Sequence, residues 1–239
     1  MSKSAVIVDF RMPEQMREKI RQCGAAVLPS VALPSVAQPL CGHPDIQICF
    51  SAPGCAVCAP EVFCYYKPLL QPFGVRVVCG KTRLDRNYPA DIAYTVAGVG
   101  RYAITLVKQT DPVLLQELER SGKQPLGVSQ GYAKCNVCVV REQSIITSDA
   151  GIAKAVETAG MDVLRICPGG IALPGYDYGF IGGASGLLPD GRVFFCGDIT
   201  QHPDFLKIDA FFRARGAEYV FVPELPLTDF GSVLPVWAV

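Results

Sequence analysis

The chain has 239 residues, its 22 Lys plus Arg balance its 22 Asp plus Glu, and half of its residues are hydrophobic. This composition allows a large core, and the balanced charge without a basic run argues against nucleic acid or an anionic membrane as a partner. No apolar stretch is long enough to span a bilayer. Residues 1–4 lead directly into the apolar run 5–8, which is too short for the core of a secretion signal. We therefore expect a cytoplasmic protein whose eleven cysteines are free thiols.

The predicted elements repeat about every 45 residues, which is typical of an array of similar supersecondary units. In chain order, the first unit is a strand at 5–10, a basic amphipathic helix at 13–23 and a strand at 25–28. Each later unit is predicted to contain two strands, a helix and a third strand. The predicted strand pairs are 45–50 with 55–58, 91–96 with 102–107, 135–140 with 144–147, and 180–188 with 192–196. The helices that follow them begin near Pro60, Pro112, Asp149 and Pro203 and end by Gly74, Gly122, Gly160 and Gly216, each before a strand.

The first and last predicted strands are both single. Residues 5–10 precede the first helix, and residues 232–239 follow the last unit. Pairing these two strands completes a fifth unit and closes the array, which removes exposed sheet edges. We therefore predict an α/β fold, a five-unit ββαβ propeller with pseudo-fivefold symmetry, formed as one domain by residues 1–239.

The sequence resembles the pentein superfamily along essentially the whole chain. Residues 131–135, 180–183 and 229–232, with the sequences Gly-Tyr-Ala-Lys-Cys, Phe-Ile-Gly-Gly and Asp-Phe-Gly-Ser, are similar to an uncharacterised bacterial branch of it. The superfamily contains guanidino-modifying enzymes (arginine and agmatine deiminases, dimethylarginine hydrolases and amidinotransferases) and a non-enzymatic translation factor. Its enzymes usually carry a cysteine nucleophile near the C-terminus and a two-glycine, acidic signature for guanidinium binding. This chain has neither.

Cys135, His43 and Asp45 are the candidate catalytic residues. The resemblance implies that the His-x-Asp spacing of His43 and Asp45 opens an inner strand, where alternation would place both side chains on one side. Cys135 follows a glycine-containing turn and would be the nucleophile, with Lys134 favouring its thiolate. The reaction would be attack on an electron-poor amidine or amide carbon through a covalent thio-intermediate. The alternative is that Cys135 is a buried core residue, as cysteines often are.

A set of polar residues is predicted to surround the axis of the propeller. Asp45, Asp91 and Asn136 are placed at equivalent positions that open inner strands, and Asp229 and Ser232 open the closing strand. Such residues would bind a small cation, ideally a guanidinium held by two hydrogen bonds. The alternative is that they cap turns and satisfy backbone amides.

Several cysteines and a histidine have a spacing that suits a metal site, but we do not predict one. Cys55 and Cys58, together with Cys41 and His43, have a spacing that suits zinc or, for the Cys-x-x-Cys pair alone, a redox pair. Because the thiols are interleaved with apolar residues, we predict no metal and no cofactor. The glycine-rich run 181–186 lies inside a predicted strand pair, which argues against a phosphate loop and favours close backbone approach near the axis.

Two classes of function therefore stay open. One is a hydrolase or amidinotransferase-like enzyme that acts on a C–N bond of a small guanidino or amidino compound. The other is a non-catalytic protein that binds a ligand or a protein partner at the mouth of the channel. In either case we predict a small cationic molecule as the partner, and the sequence indicates no oligomeric state. Convergence of Cys135, His43 and a carboxylate on one pocket would favour the enzyme.

Overall fold

The computed structural model describes residues 4–236. The helices are α1 (Glu14–Gln22), α2 (Pro44–Gln47), α3 (Phe63–Leu70), α4 (Pro112–Arg120), α5 (Ala133–Asn136), α6 (Ala150–Thr158) and α7 (Phe205–Ala214). The strands are β1 (Ala5–Val8), β2 (Ala26–Pro29), β3 (Ile48–Ala52), β4 (Cys55–Cys58), β5 (Arg76–Cys79), β6 (Ala97–Val99), β7 (Tyr102–Thr105), β8 (Gln124–Gly127), β9 (Cys138–Arg141), β10 (Ser144–Thr147), β11 (Asp162–Arg165), β12 (Ser185–Leu187), β13 (Val193–Phe195), β14 (Tyr219–Val220) and β15 (Leu234–Val236). Within the described residues, no helix is long and apolar enough to cross a membrane.

The strands form five three-stranded sheets, one for each predicted unit. Their orders are β15-β1-β2, β3-β4-β5, β6-β7-β8, β9-β10-β11 and β12-β13-β14. In each sheet the middle strand pairs antiparallel with one neighbour and parallel with the other. A parallel pair needs a crossover connection, and helices α1, α3, α4, α6 and α7 supply one each. The fold is therefore a mixed α/β fold of five similar units.

The first sheet joins the two ends of the described chain. β1 pairs antiparallel with β15, with Ala5 opposite Val236 and Ile7 opposite Leu234. β1 also pairs parallel with β2. The predicted pairing of the first and last strands is confirmed for Leu234–Val236, and residues 237–239 of the predicted last strand lie outside the described residues.

Middle strands form much of the core. β1, β4 and β10 are buried at every residue, as expected for short apolar strands that are covered on both faces. The helices cover the sheets with one apolar face each. In α1, for example, Met16 and Ile20 are buried while the charged residues between them remain at the surface.

Helix boundaries lie at the capping, proline and glycine residues of the sequence. The carboxylate of Asp111 accepts hydrogen bonds from the N–H groups of Val113 and Leu114, and Pro112 is the first residue of α4. This helix is followed by Gly122, whose φ of +76° suits the left-handed end of a helix. The predicted helix beginning at Asp111-Pro112 is confirmed.

The predicted starts of the inner strands are wrong. Residues 44–47 form α2, in which Pro44 opens a helical turn, and β3 begins only at Ile48. Residues 133–136 form α5, residues 91–96 and 180–184 lie in turns and irregular chain, and the following strands begin at residues 138, 97 and 185. Four-residue apolar segments do not distinguish a helical turn from a strand by periodicity. The alternation that was expected to place His43 and Asp45 on one side of a strand therefore does not apply.

Candidate functional site

A hydrogen-bonded network around Ser232 joins four segments of the chain. Lys134 Nζ donates to Ser232 Oγ over 2.8 Å. Ser232 Oγ in turn lies 2.7 Å from Asp45 Oδ2 and 2.8 Å from the carbonyl oxygen of Gly182. The hydroxyl has one proton to donate, so only one of these two acceptors receives it at a time. The network therefore links α2, α5, the turn before β12 and the segment before β15.

The backbone fixes Ser232 in an unusual conformation. Its φ is +72°, in the left-handed region that residues with a Cβ rarely adopt, at a cost of order 1–3 kcal/mol. Ser232 N donates to the carbonyl of Gly183 over 2.8 Å, and Asp45 N donates to the carbonyl of Gly231 over 3.2 Å. These backbone bonds hold the hydroxyl between Lys134 and Asp45.

Asp229 and His43 lie next to this network. Asp229 Oδ1 accepts from the N–H of Gly231 and Asp229 Oδ2 from the N–H of Phe180, each over 2.9 Å. His43 Nδ1 is 3.9 Å from Asp229 Oδ1. Burial raises the pKa of Asp229; the charge of Asp45 acts in the same direction, and His43 opposes the shift. We call Asp45, His43, Lys134, Cys135, Asp229 and Ser232 the polar cluster.

Cys135 is buried in the polar cluster with its sulfur held as a thiol. Burial raises the pKa of Cys135 well above its ordinary value, and the charges of Asp45 and Asp229 raise it further. Lys134 opposes this shift but is outweighed. Lys134 thus acts in the expected direction, towards the thiolate, but burial and the two carboxylates have the larger effect on the pKa of Cys135.

A cavity of about 110 Å³ lies beside the polar cluster. Asp45, Lys134 and Ser185 supply its polar wall. The rest of its wall is mainly apolar and includes Ile48, Cys49, Phe50, Val96, Val139, Leu187, Val233 and Leu234. Asp45 Oδ1 is buried and has no hydrogen-bond partner among the described residues. A buried carboxylate oxygen without a partner costs free energy.

Asp91 and Asn136 bind Tyr132 instead of joining this network. The Tyr132 hydroxyl donates to Asp91 Oδ2, and Asn136 Nδ2 donates to the carbonyl of Tyr132 over 3.2 Å. Burial raises the pKa of Asp91, and the hydrogen bond from Tyr132 acts in the opposite direction. The structure thus brings Asp45, Lys134 and Ser232 together by hydrogen bonds, with His43, Cys135 and Asp229 around them. Asp91 and Asn136, the other two predicted site residues, do not join this group.

Glycines allow the polar cluster to pack closely. A Cβ on Gly183 would lie 2.0 Å from Asp229 Oδ1, and one on Gly182 would lie 2.4 Å from the carbonyl oxygen of Lys134. Gly231 has a φ of +67°, and a Cβ there would lie 2.3 Å from His43 Cβ. The predicted role of the glycine-rich run in close backbone approach is confirmed for Gly182 and Gly183.

Sequence reasoning missed Tyr132 and the aromatic residues near it. Tyr132 hydrogen-bonds to both Asp91 and Asn136, and its ring lies near the rings of Tyr88 and Phe180. These aromatics come from loops, where no periodicity marks them. The one available signal was the occurrence of several tyrosines in glycine- and proline-rich segments.

The four residues considered for zinc are not assembled. Among the described residues, no group of three or more His, Cys, Asp or Glu side chains is arranged to hold a metal ion. Cys55 Sγ instead lies 3.5 Å from Glu117 Oε2 and 3.2 Å from Arg76 Nη2. All eleven cysteines of the sequence are free.

We expect thiol titration of the denatured protein, purified under reducing conditions, to count eleven thiols, and elemental analysis to find no zinc. Six of the cysteines are buried, including Cys58, where burial raises the pKa to about 12. In the native protein the exposed residues Cys64, Cys79 and Cys167 should therefore react first. One equivalent of tightly bound zinc would contradict this expectation and would point back to Cys55 and Cys58.

Comparison with solved structures shows that the fold is similar to that of DDAH. DDAH from Pseudomonas aeruginosa, a cysteine-to-serine mutant complexed with citrulline, matches with a TM-score of 0.57 at 10% identity over 93% of each chain. A dimethylarginine dimethylaminohydrolase adduct with 4-chloro-2-hydroxymethylpyridine matches with a TM-score of 0.53 at 11% identity, again over 93% of each chain. The chain itself belongs to a family of unknown function, DUF6873, whose model matches residues 7–234. No curated protein matches it in sequence.

Proposed function

We propose that this protein binds a small cation that carries a guanidino or amidino group, in the cavity beside Asp45. The observation that carries the proposal is Asp45 Oδ1, a carboxylate oxygen that is buried beside a cavity and has no hydrogen-bond partner among the described residues. A planar group with several N–H donors satisfies such an oxygen and can share the second oxygen with Ser232. The fold likeness supports the same class of ligand, since one matching structure is by its name a dimethylarginine dimethylaminohydrolase and dimethylarginine carries a guanidino group.

The charges around the cavity indicate that a cationic ligand binds there with modest affinity. Asp229 has both oxygens occupied by backbone N–H groups, so Asp45 offers the free acceptor. Lys134 lines the same cavity and already places one ammonium near Asp45 through Ser232. A ligand must therefore compete with an internal cation. We expect dissociation constants on the order of micromolar to millimolar, which corresponds to about 4–8 kcal/mol of binding free energy.

The architecture that we propose is a closed ring of five ββαβ units with pseudo-fivefold symmetry, formed as one domain by residues 1–239. Two observations support it: β1 joins the last described strand to the first sheet, and the polar cluster draws residues from several units. Residues at equivalent places in a closed ring face the same axis, which explains how Asp45 and Ser232, 187 residues apart, form a hydrogen bond. We propose that the protein acts in the cytoplasm without a metal or cofactor.

Catalysis on a C–N bond of the bound compound is the second candidate function, with Cys135 as nucleophile. Two observations bear on it. A bound cation would offset the charges of Asp45 and Asp229, which raise the pKa of the Cys135 thiol, so binding itself would favour the thiolate. His43 Nε2 is buried with no hydrogen-bond partner in the described chain and is a proton acceptor or donor of the required type. The alternative is a non-catalytic protein that binds a ligand or a protein partner at the channel mouth.

Thermal-shift measurements with arginine, agmatine and benzamidine test the proposed ligand class. At least one compound should raise Tm with increasing concentration, because a ligand of the native state stabilises it by mass action. Asp45→Asn should abolish the shift, whereas Glu157→Gln, which removes an exposed carboxylate on α6, should retain it. Cys135→Ala should retain the shift and lose any turnover. Binding that survives Asp45→Asn would contradict the proposal.

A further inference from the structure

Five aromatic residues form a second feature, outside the polar cluster. Tyr88, Tyr176 and Tyr178 are 53%, 48% and 41% exposed. Ring centroids of Tyr88 and Tyr132 lie 5.7 Å apart, those of Tyr132 and Phe180 6.4 Å, and those of Tyr178 and Phe180 6.0 Å. We call Tyr88, Tyr132, Tyr176, Tyr178 and Phe180 the aromatic patch. Tyr176 lies two residues before Tyr178 in the same loop. A cluster of large exposed rings is unusual on a protein surface and marks a binding site.

Three loops build the aromatic patch. Tyr88 lies between β5 and β6, Tyr132 directly precedes α5, and the other three lie between β11 and β12. A Cβ on Gly131 would lie 2.5 Å from Tyr88 Cε2. The missing side chain of this glycine therefore allows the Tyr88 ring to approach the backbone beside Tyr132.

Asp91 lies beneath the patch and has no cationic partner among the described residues. It is 1% exposed, and its Oδ2 accepts the hydrogen bond of Tyr132. Its Oδ1 has no hydrogen-bond partner, and no ion pair within residues 4–236 includes Asp91. Besides burial, the charge of Asp91 raises the pKa of Tyr132 and of Tyr176.

The rings of the patch also have no cation over them. The cation–π pairs of the described chain use Phe10, Phe63, Tyr102 and Phe211, none of which belongs to the patch. Aromatic faces are electron-rich and attract a cation placed within about 6 Å of the ring centroid. The patch thus combines electron-rich faces with a nearby carboxylate and supplies no positive charge of its own.

We propose that the aromatic patch and Asp91 form a binding site for a small N-methylated ammonium ion. The apolar methyl groups of such an ion match ring faces and need no hydrogen-bond acceptors. A guanidinium also stacks on aromatic rings, but its N–H groups need acceptors, and Asp91 Oδ1, which has no partner among the described residues, is buried. Asp91 Oδ1 is buried, so it attracts the ion by its charge at a distance and not by a direct contact.

This site does not depend on the ligand proposed for the cavity. None of the patch residues lines the cavity beside Asp45, and neither does Asp91. The chemistry also differs: the cavity offers a hydrogen-bond acceptor to N–H donors, whereas the patch offers ring faces to methyl groups. Binding at the patch can therefore hold or fail independently of guanidino binding at Asp45.

Isothermal titration with choline chloride tests the site, with 3,3-dimethylbutan-1-ol as the neutral compound of nearly the same shape. Choline should bind saturably, and the neutral alcohol should bind at least tenfold more weakly because it has no charge for the rings and Asp91 to attract. Sodium chloride at equal ionic strength should give no saturable signal. Equal affinities for choline and the alcohol would overturn the proposal, as would the absence of saturable choline binding up to millimolar concentrations.

Three variants separate the contributions to choline binding. Tyr176→Leu keeps apolar surface but removes a half-exposed ring, and should weaken choline at least fivefold, while Tyr176→Phe should restore most of the affinity. Asp91→Asn keeps an acceptor for Tyr132 and should also weaken choline at least fivefold. Asp45→Asn should lose the guanidino response and keep the choline response, so the two proposals fail separately. Unchanged choline affinity in Tyr176→Leu would overturn the assignment even if Asp91→Asn does not fold.

Discussion

Deleting residues 231–239 is expected to unfold the whole chain rather than to fray one sheet. The deletion removes β15, the antiparallel partner of β1. It also removes the buried side chains of Val233, Leu234 and Val236. Burying such side chains contributes about 1.5–3 kcal/mol each, and the loss of all three approaches the total stability of about 5–15 kcal/mol that is typical of a domain. The deletion also leaves Ala5, Val6 and Ile7 of the fully buried β1 without their antiparallel partners, at a new sheet edge.

Circular dichroism during heating measures this effect. A chain that ends at residue 236 keeps β15 and is the matched comparison. Single substitutions give a graded version: Leu234→Ala should cost about 2–3 kcal/mol, whereas Leu206→Ala on α7, where the side chain is 80% exposed, should cost little. A shortened chain with the Tm of the full chain would show that the pairing of the two ends does not stabilise the fold.

The repeat was predictable because its signals are local. Proline at four helix starts, Asp149 at the fifth and glycine after each helix end mark the helices within a few residues, and an apolar run follows each glycine. Five helices and the pairing of the two terminal strands could therefore be predicted from the sequence. The four-residue helices α2 and α5 could not, since segments of this length carry no distinguishing period.

Because α2 and α5 are short helices and not strand starts, the site residues that occupy matching places differ from those that the sequence predicts. Asp45 is the second residue of α2, and Lys134 is the second residue of α5. These two residues therefore occupy matching places, and both contact Ser232. Asn136, matched to Asp45 in the sequence, is the fourth residue of its helix and bonds the carbonyl of Tyr132. The polar cluster consequently pairs opposite charges, where the sequence had predicted a ring of acceptors alone.

Other features of the site depend on contacts that no short segment contains. The pKa of Cys135 is set by burial and by carboxylates from two distant parts of the chain, Asp45 and Asp229. A neighbour in sequence, Lys134, gave the opposite expectation. The aromatic patch likewise forms only when three loops meet.

Lys134→Met is expected to destabilise the protein by about 3 kcal/mol at neutral pH, because breaking one side of a buried ionic network leaves the other charge uncompensated. Lys134 is half-buried, and its ammonium reaches Asp45 through Ser232. Methionine keeps the length and apolar stem of the side chain, so the loss measures the charge rather than the volume. Lys154→Met removes an exposed ammonium from α6 and should change stability by less than about 0.5 kcal/mol.

A double-mutant cycle identifies Asp45 as the uncompensated charge. In the Lys134→Met background, Asp45→Asn should recover at least half of the lost stability, because Asn retains an acceptor for the Ser232 hydroxyl without a buried charge. The pH gives an independent check through Asp229, whose pKa is raised by burial. At a pH between the pKa in the unfolded chain and the higher pKa in the folded protein, such a carboxyl takes up a proton on folding. The stability of the folded protein therefore falls as the pH rises through this range. In urea unfolding, the stability of the unsubstituted protein should therefore fall as the pH is raised above about 4, the ordinary pKa of an aspartate in the unfolded chain. The contrary result is that Asp45→Asn changes the free energy of unfolding equally in the protein that retains Lys134 and in the Lys134→Met background. That result would show that the two residues are not coupled, and that hydrogen bonds rather than charges stabilise the polar cluster.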